Sequence, residues 1–117
     1  MTHKSGAQLI AEAKTRIREV TPQEAMSDDS DNIVFFDCRE PQEYNLGHIP
    51  GAVFIPRGQM ETKIEAVIPR DRKVVIYCAT GNRSALAAET MMQMGYGDVA
   101  SMAGGFRDWV EAGGEVE

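Results

Sequence analysis

The sequence has few residues that hold metals or form cross-links. In 117 residues it contains two cysteines, two histidines and one tryptophan. Neither Cys38 nor Cys78 has a cysteine or histidine at a ligand-like spacing, which argues against a structural zinc site. Two cysteines are also too few for a miniprotein held together by disulfides, and in a reducing compartment both thiols should stay free. The sequence therefore implies no metal and no cofactor.

Long apolar runs and an excess of basic charge are also absent. No run approaches the ~20 apolar residues that a membrane-spanning helix needs, and charges scattered through residues 1–20 argue against a secretory signal. The 12 Lys and Arg against 18 Asp and Glu give a net charge of −6. Such a chain repels nucleic acids and anionic membranes, so neither is expected as a partner, and an anionic substrate would need local attraction. We predict a cytoplasmic protein.

The composition is that of an ordinary globular chain of one domain, with 43% hydrophobic and 26% charged residues. Two helix starts stand near the beginning. Ser5 followed by Gln8 forms a capping-box pattern, and Thr21 followed by Glu24 repeats it with a proline at the first helical position. The predicted helices are 6–19 and 22–27, and the acidic turn 28–31 follows.

Short apolar runs alternate with helical segments along the rest of the chain. Apolar runs without polar alternation are typical of parallel strands that are buried on both faces. The predicted strands are 33–36, 52–55, 73–77 and 99–102, and the predicted helices are 40–46, 59–67, 84–94 and a last one carrying Phe106 and Trp109. This order predicts an α/β fold with a parallel sheet and helices on both faces.

Cys78 follows the third of these strands, at the edge where open α/β sheets bind their ligands. The start of the next helix offers free backbone amides and a positive dipole end, and Arg83 adds a permanent charge. These features favour a thiolate, and a partly exposed cysteine of low pKa is a nucleophile. Gly81 is expected to adopt the left-handed conformation that turns the loop amides inward. The alternative is a buried structural cysteine before an ordinary turn.

Three motifs, in order across roughly Val20 to Gly114, resemble the signatures of the rhodanese family of sulfurtransferases. Three ordered signatures argue against chance similarity. The residues are Asp37-Cys38-Arg39-Glu40, Glu43-Tyr44 and Gly47-His48-Ile49-Pro50-Gly51-Ala52 in the first, Val74-Val75-Ile76-Tyr77-Cys78 with Gly81 and Arg83 in the second, and Gly104-Gly105-Phe106 with Trp109 and Gly113 in the third.

The resemblance implies a rhodanese-like fold, with about five mostly parallel strands and helices on both faces, in a domain over residues 20–117. Residues 1–19 form an N-terminal helical extension outside the resemblance, which either covers an edge of the sheet or mediates self-association. The family chemistry implies that Cys78 takes a sulfane sulfur from a donor such as thiosulfate and becomes a persulfide. The sulfur then passes to cyanide or to a thiol, including a thiol of a protein acceptor. The residues that would bind the substrate are Ala79, Thr80, Gly81, Asn82 and Arg83.

Two alternatives to a thiosulfate sulfurtransferase remain. One is a persulfide carrier or regulatory module that has no meaningful turnover with thiosulfate. The other is a phosphatase or arsenate reductase, since the same fold hosts both. Their loops have a Cys-x5-Arg spacing around a larger oxyanion, whereas Cys78 to Arg83 is Cys-x4-Arg. The shorter spacing suits a single sulfur atom and disfavours both of these reactions.

Four further residues are candidates for supporting roles. Asp37 and Arg39 are expected to form a surface ion pair that fixes the turn, worth about 0–1 kcal/mol, with charge tuning of the Cys78 loop as the alternative. His48 is expected to brace its turn rather than to act as a general base. Cys38 is expected to be a buried, hydrophobe-like thiol that points away from Cys78. A resolving thiol is its alternative role.

Overall fold

The computed structural model describes residues 2–30 and 33–117, so Asp31 of the predicted acidic turn lies outside the described residues. Within the described part, no helix has the length and apolar character needed to cross a bilayer. The helices are α1 (Gly6–Arg16), α2 (Pro22–Met26), α3 (Pro41–Leu46), α4 (Met60–Val67, after a 3-10 turn at Arg57–Gln59), α5 (Asn82–Gln93) and α6 (Gly105–Glu111). The strands are β1 (Arg18–Val20), β2 (Ile33–Asp37), β3 (Val53–Phe54), β4 (Lys73–Tyr77) and β5 (Val99–Met102).

The five strands form one parallel sheet in the order β1-β5-β4-β2-β3. Because side chains alternate along a strand, β4 sends Val74 and Ile76 to one face and Val75 and Tyr77 to the other. The first face packs against α4 and α5, and the second against α2 and α6. The predicted α/β fold with helices on both faces is confirmed.

Both predicted capping boxes are present, at Ser5 and Thr21, but α1 is shorter than predicted. The helix ends at Arg16, and residues 18–20 form β1, the outer strand beside β5. The prediction of a helix as far as residue 19 was wrong because pairing of Val20 with Met102 outweighs local helical preference. An edge strand of three residues is too short to show a periodicity in the sequence.

Helix α1 packs against α5 on one face of the sheet. Ala13 is fully buried in this contact region, the Nζ of Lys14 donates to Oδ1 of Asn82 at 3.1 Å, and Arg16 pairs with Glu89 at 2.8 Å. β1, rather than α1, covers the edge of the sheet beside β5. The N-terminal segment therefore supports the helix that follows Cys78.

Asp37 and Arg39 form the expected ion pair, but it is buried rather than on the surface. Asp37 is 0% exposed and Arg39 is 4% exposed, and their closest charged atoms are 2.8 Å apart. Arg39 also donates to the carbonyl of Gly47 at 2.7 Å, and its guanidinium lies 4.4 Å from the ring centre of Phe106. The expectation of a surface pair was wrong because β2 is an interior strand whose end is covered by the Gly47 turn and by α6.

Replacing Arg39 with Met should leave the Asp37 carboxylate buried and unpaired. We expect this change to lower the free energy of unfolding by about 3–5 kcal/mol, measured by urea denaturation. The matched control is Arg107→Met, which breaks an exposed pair with Asp108 and should cost about 0–1 kcal/mol. Equal losses for the two variants would contradict the importance of the buried pair.

Candidate active site

The loop that follows β4 wraps around the sulfur of Cys78. It runs from Cys78 to Gly81, and α5 begins at Asn82. Gly81 has φ +99°, which confirms the predicted left-handed residue, and its amide donates to Cys78 Sγ at 3.1 Å. The amide of Ser84, in the first turn of α5, donates to the same sulfur at 3.4 Å. The free amides of the helix start thus converge on one atom.

The start of α6 fixes the loop from the other side. The amide of Phe106 donates to the carbonyl of Cys78 at 2.8 Å, and the amide of Arg107 donates to that of Ala79 at 3.2 Å. Gly105, with φ +60°, lies so close that a Cβ there would be 2.5 Å from the Cys78 oxygen. The glycine is required at this position because the two backbones touch.

Cys78 is held as a thiolate by hydrogen bonds. The pKa of Cys78 is lowered to about 4, chiefly by a hydrogen bond from the Cys38 thiol, with desolvation opposing and the donors of Ser84 and Gly81 adding to the effect. The hydroxyl of Ser84 lies 3.5 Å from the sulfur and 2.8 Å from the hydroxyl of Ser101. The same hydrogen bond raises the pKa of Cys38 well above its ordinary value, so the shared proton stays on Cys38.

The sulfur is more enclosed than the sequence suggested. Cys78 is 1% exposed, so the prediction of a partly exposed cysteine was wrong. The reason is that Gly81 and Ser84 close over the sulfur while Cys38 lies beside it. An enclosed thiolate can react with reagents small enough to enter the loop, or after the loop opens.

Arg83 does not bind the sulfur directly. Its guanidinium donates to both carboxylate oxygens of Glu43, at 2.8 and 3.0 Å, and this bidentate pair lowers the pKa of Glu43 to about 2. Arg83 and Cys78 still interact through their charges. The main causes that lower the pKa of Cys78 are hydrogen bonds rather than the charge of Arg83.

The remaining predicted residues lie around the loop or in a separate turn. Thr80 and Asn82 are exposed on the outside of the loop, and Ala79 is partly buried. His48 stacks on the ring of Tyr44 at 3.8 Å between ring centres, and its Nδ1 lies 3.1 Å from the Tyr44 carbonyl. These contacts are those of a residue that braces the turn between α3 and β3.

Cys38 is the main correction to the candidate site. β2 and β4 are parallel with Asp37 beside Tyr77, so Cys38 and Cys78 follow as the next pair. Paired residues of neighbouring strands point to the same face, and both cysteines belong to one buried cluster. The expectation that Cys38 points away was therefore wrong. The available signal was that each cysteine stands within two residues of the end of a predicted strand.

The structure adds three polar residues to the site. The amide and the hydroxyl of Ser84 both face the sulfur of Cys78. Ser101, fully buried on β5, supports Ser84, and Glu43 neutralises Arg83. Ser101 and Glu43 are distant from Cys78 in sequence, so only the packing of the strands and of α3 reveals them.

The sequence that forms this loop and the sheet around it matches a known domain family. Residues 21–112 match the rhodanese-like domain. This chain belongs to the rhodanese-like family.

Two relatives and one solved structure show what this rhodanese-like chain is similar to. It is 39% identical over 85 residues to a sulfurtransferase of Allochromatium vinosum, covering 73% of this chain and 78% of that protein. It is 36% identical over 110 residues to "Putative sulfur carrier protein YrkF" of Bacillus subtilis. That match covers 91% of this chain but 58% of the relative, so this chain spans little more than half of that protein.

The solved structure comes from Rhodopseudomonas palustris and is described as "Protein of Unknown Function" and "Possible Tyrosine Phosphatase". It superposes with a TM-score of 0.88 at 35% identity, and the match covers 100% of this chain and 97% of that one. The rhodanese-like fold described above, including α1, is therefore shared over the whole length of this chain.

The role of Cys38 as a hydrogen-bond donor can be tested by two substitutions. Cys38→Val removes the donor and should raise the pKa of Cys78 by roughly one to two, since a hydrogen bond to a charged group contributes about 1.5–3 kcal/mol. Cys38→Ser keeps a donor and should leave the pKa low. The measurement is the pH dependence of Cys78 alkylation by iodoacetamide, with free cysteine as reference. An unchanged profile in Cys38→Val would contradict this role.

The close approach of Gly105 predicts a second effect on the same thiolate. Gly105→Ala should displace the loop, weaken the bonds from Gly81 and Ser84, and raise the pKa of Cys78. Gly113→Ala is the control, because Gly113 also has a positive φ of +85° but has open space around its added Cβ. The measurement is the pH dependence of Cys78 alkylation in both variants, with thermal unfolding of both recorded. A raised pKa of Cys78 in Gly105→Ala but not in Gly113→Ala indicates displacement of the loop rather than backbone strain alone.

Proposed function

We propose that this domain is a sulfurtransferase that carries a sulfane sulfur on Cys78 as a persulfide. The observation that carries the proposal is the convergence of the Gly81 and Ser84 amides and the Cys38 thiol on one sulfur whose pKa is about 4. A thiolate at neutral pH is the nucleophile that the reaction requires. The sulfurtransferase and sulfur-carrier relatives support the same chemistry.

Thiosulfate is the donor that we propose. The Cys78 thiolate attacks the outer sulfur of thiosulfate, the S–S bond of the donor breaks, and sulfite leaves with the bonding electrons. The product is a Cys78 persulfide with its negative charge on the outer sulfur. An acceptor such as cyanide or a thiol then attacks that outer sulfur and the Cys78 thiolate leaves. The donors of the Cys78 loop stabilise the thiolate at the start and at the end of the cycle.

The loop residues 79–83 are proposed to bind the donor, with Arg83 at the end of the loop. The acceptor is a small thiol or a protein. We propose that the reaction takes place in the cytoplasm, where reduced thiols predominate. Asp37, Arg39 and His48 are proposed to hold the turns around the loop rather than to touch the substrate. Their buried ion pair and ring contacts support that division of roles. The extension over residues 1–19 is proposed to steady α5 rather than to bind substrate.

The direct test is formation of thiocyanate from thiosulfate and cyanide. We expect multiple turnovers from the unaltered protein and none above background from Cys78→Ser, because the hydroxyl has no comparable nucleophilicity. Met92→Ala, a substitution of an exposed residue on α5, is the control and should keep the activity. A persulfide that forms without turnover would identify a carrier instead, as the name of the Bacillus subtilis relative suggests for that protein.

A phosphatase is the second candidate because of the description given to the Rhodopseudomonas palustris structure. The Cys-x4-Arg spacing disfavours it, since the shorter loop suits a single sulfur atom rather than a larger oxyanion. Hydrolysis of an aryl phosphate by the unaltered protein, abolished in Cys78→Ser, would favour the phosphatase. We expect no such hydrolysis.

A further inference from the structure

Cys38 and Cys78 lie side by side on neighbouring strands. The amide of Cys38 donates to the carbonyl of Tyr77 at 3.1 Å, which continues the register of β2 and β4 by one residue. Neighbouring strands are about 4.8 Å apart, and this separation falls within the ~4.4–6.8 Å between Cα atoms that a disulfide needs. The separation expected for this pair is therefore within the range that a disulfide allows.

Cys38 and Cys78 are not joined by a disulfide, and both thiols are shielded from solvent. Cys38 is 0% exposed and Cys78 is 1% exposed, in the same buried cluster. An external thiol must open the loop to reach the inner sulfur of Cys78, whereas Cys38 already lies beside Cys78 in the same buried cluster. A reactant held in place in this way has the advantage of an intramolecular reaction.

We propose that Cys38 is a second catalytic cysteine, which attacks the Cys78 persulfide, releases hydrosulfide and leaves a Cys38–Cys78 disulfide. This inference rests on the proposed function, because it needs a persulfide on Cys78. It adds an activity, the reduction of sulfane sulfur to sulfide, in which the two cysteines of the chain act as the reductant.

The step balances in atoms and electrons. The Cys38 thiol gives its proton to the charged outer sulfur of the persulfide, and the Cys38 sulfur attacks Cys78 Sγ. The bond between Sγ and the outer sulfur breaks, and the outer sulfur leaves as HS⁻ with the bonding pair. The sulfane sulfur is reduced by two electrons, and the two cysteines are oxidised to a disulfide. A dithiol reductant then restores both thiols and is itself oxidised to a disulfide.

The contact between the cysteines also accounts for the order of events. While Cys78 is a thiolate, its charge keeps the proton on Cys38, so Cys38 is not a nucleophile. In the persulfide, Sγ is bonded to a second sulfur and the charge moves outward. The main cause that holds the proton on Cys38 is then removed, and the outer sulfur becomes the site that accepts it. Cys38 is thus activated by the arrival of the sulfur.

The experiment follows a single turnover without added thiol. The reduced protein is treated with thiosulfate under anaerobic conditions, separated from excess donor, and followed by mass spectrometry and a sulfide assay. We expect the unaltered protein to gain one sulfur, to release about one sulfide per chain and to form a Cys38–Cys78 disulfide seen by non-reducing peptide mapping. In Cys38→Ser, which keeps a hydrogen-bond donor, the persulfide should persist and sulfide release should fall at least about tenfold.

Three results would overturn the inference: a persulfide equally long-lived in both proteins, sulfide release without the Cys38–Cys78 disulfide, or a disulfide that joins two chains. The mapping of the unaltered protein decides even if Cys38→Ser does not fold. If thiosulfate adds no sulfur to Cys78, the proposed donor is wrong, and inorganic polysulfide then serves to load Cys78 for the same measurement. A polysulfide-loaded persulfide that stays intact, or no loading by polysulfide either, overturns the inference.

Discussion

The site depends on hydrogen bonds to one buried sulfur atom. A negative charge on Cys78, which is shielded from water, is stable only if donors already surround it. Those donors come from separate parts of the chain: the thiol of Cys38 after β2, the amide of Gly81 in the loop, and the amide and hydroxyl of Ser84 in α5. Ser101 on β5 supports the hydroxyl of Ser84. The charge on the sulfur therefore requires β2, β4 and β5 to lie side by side.

The same elements stabilise the fold. The amides at the start of α6 bond the carbonyls of Cys78 and Ala79, and the ring of Phe106 covers the guanidinium of Arg39. Arg39 in turn neutralises Asp37 at the end of β2 and bonds the turn at Gly47. The residues that keep the loop in place are thus also those that close the core at this edge of the sheet. A substitution that displaces the loop should therefore also destabilise the fold.

The arrangement also explains how a chain with a net charge of −6 can hold an anion. The charge of Arg83 is largely balanced by Glu43, and the groups in contact with the sulfur are neutral amides, a hydroxyl and a thiol. Neutral donors act over short distances and are not offset by distant carboxylates. Local dipoles, rather than an overall positive field, stabilise the anion at this site.

The sequence determined much of the fold and the centre of the site. Capping patterns at Ser5 and Thr21, apolar runs and glycines are local signals, and they were sufficient to predict most helices, the parallel sheet and the left-handed Gly81. The resemblance carried by the ordered motifs placed the candidate nucleophile at Cys78. These features depend on neighbours within a few residues, or on motifs that a single chain displays.

Only the tertiary structure decided which distant groups meet. The strand at 18–20 exists because β5 offers it an edge, and the approach of Cys38 to Cys78 follows from the register of β2 against β4. The burial of the Asp37–Arg39 pair likewise depends on what covers the end of β2. Strand order and register are set by packing of the whole core, and no local pattern in the sequence encodes the contacts that result.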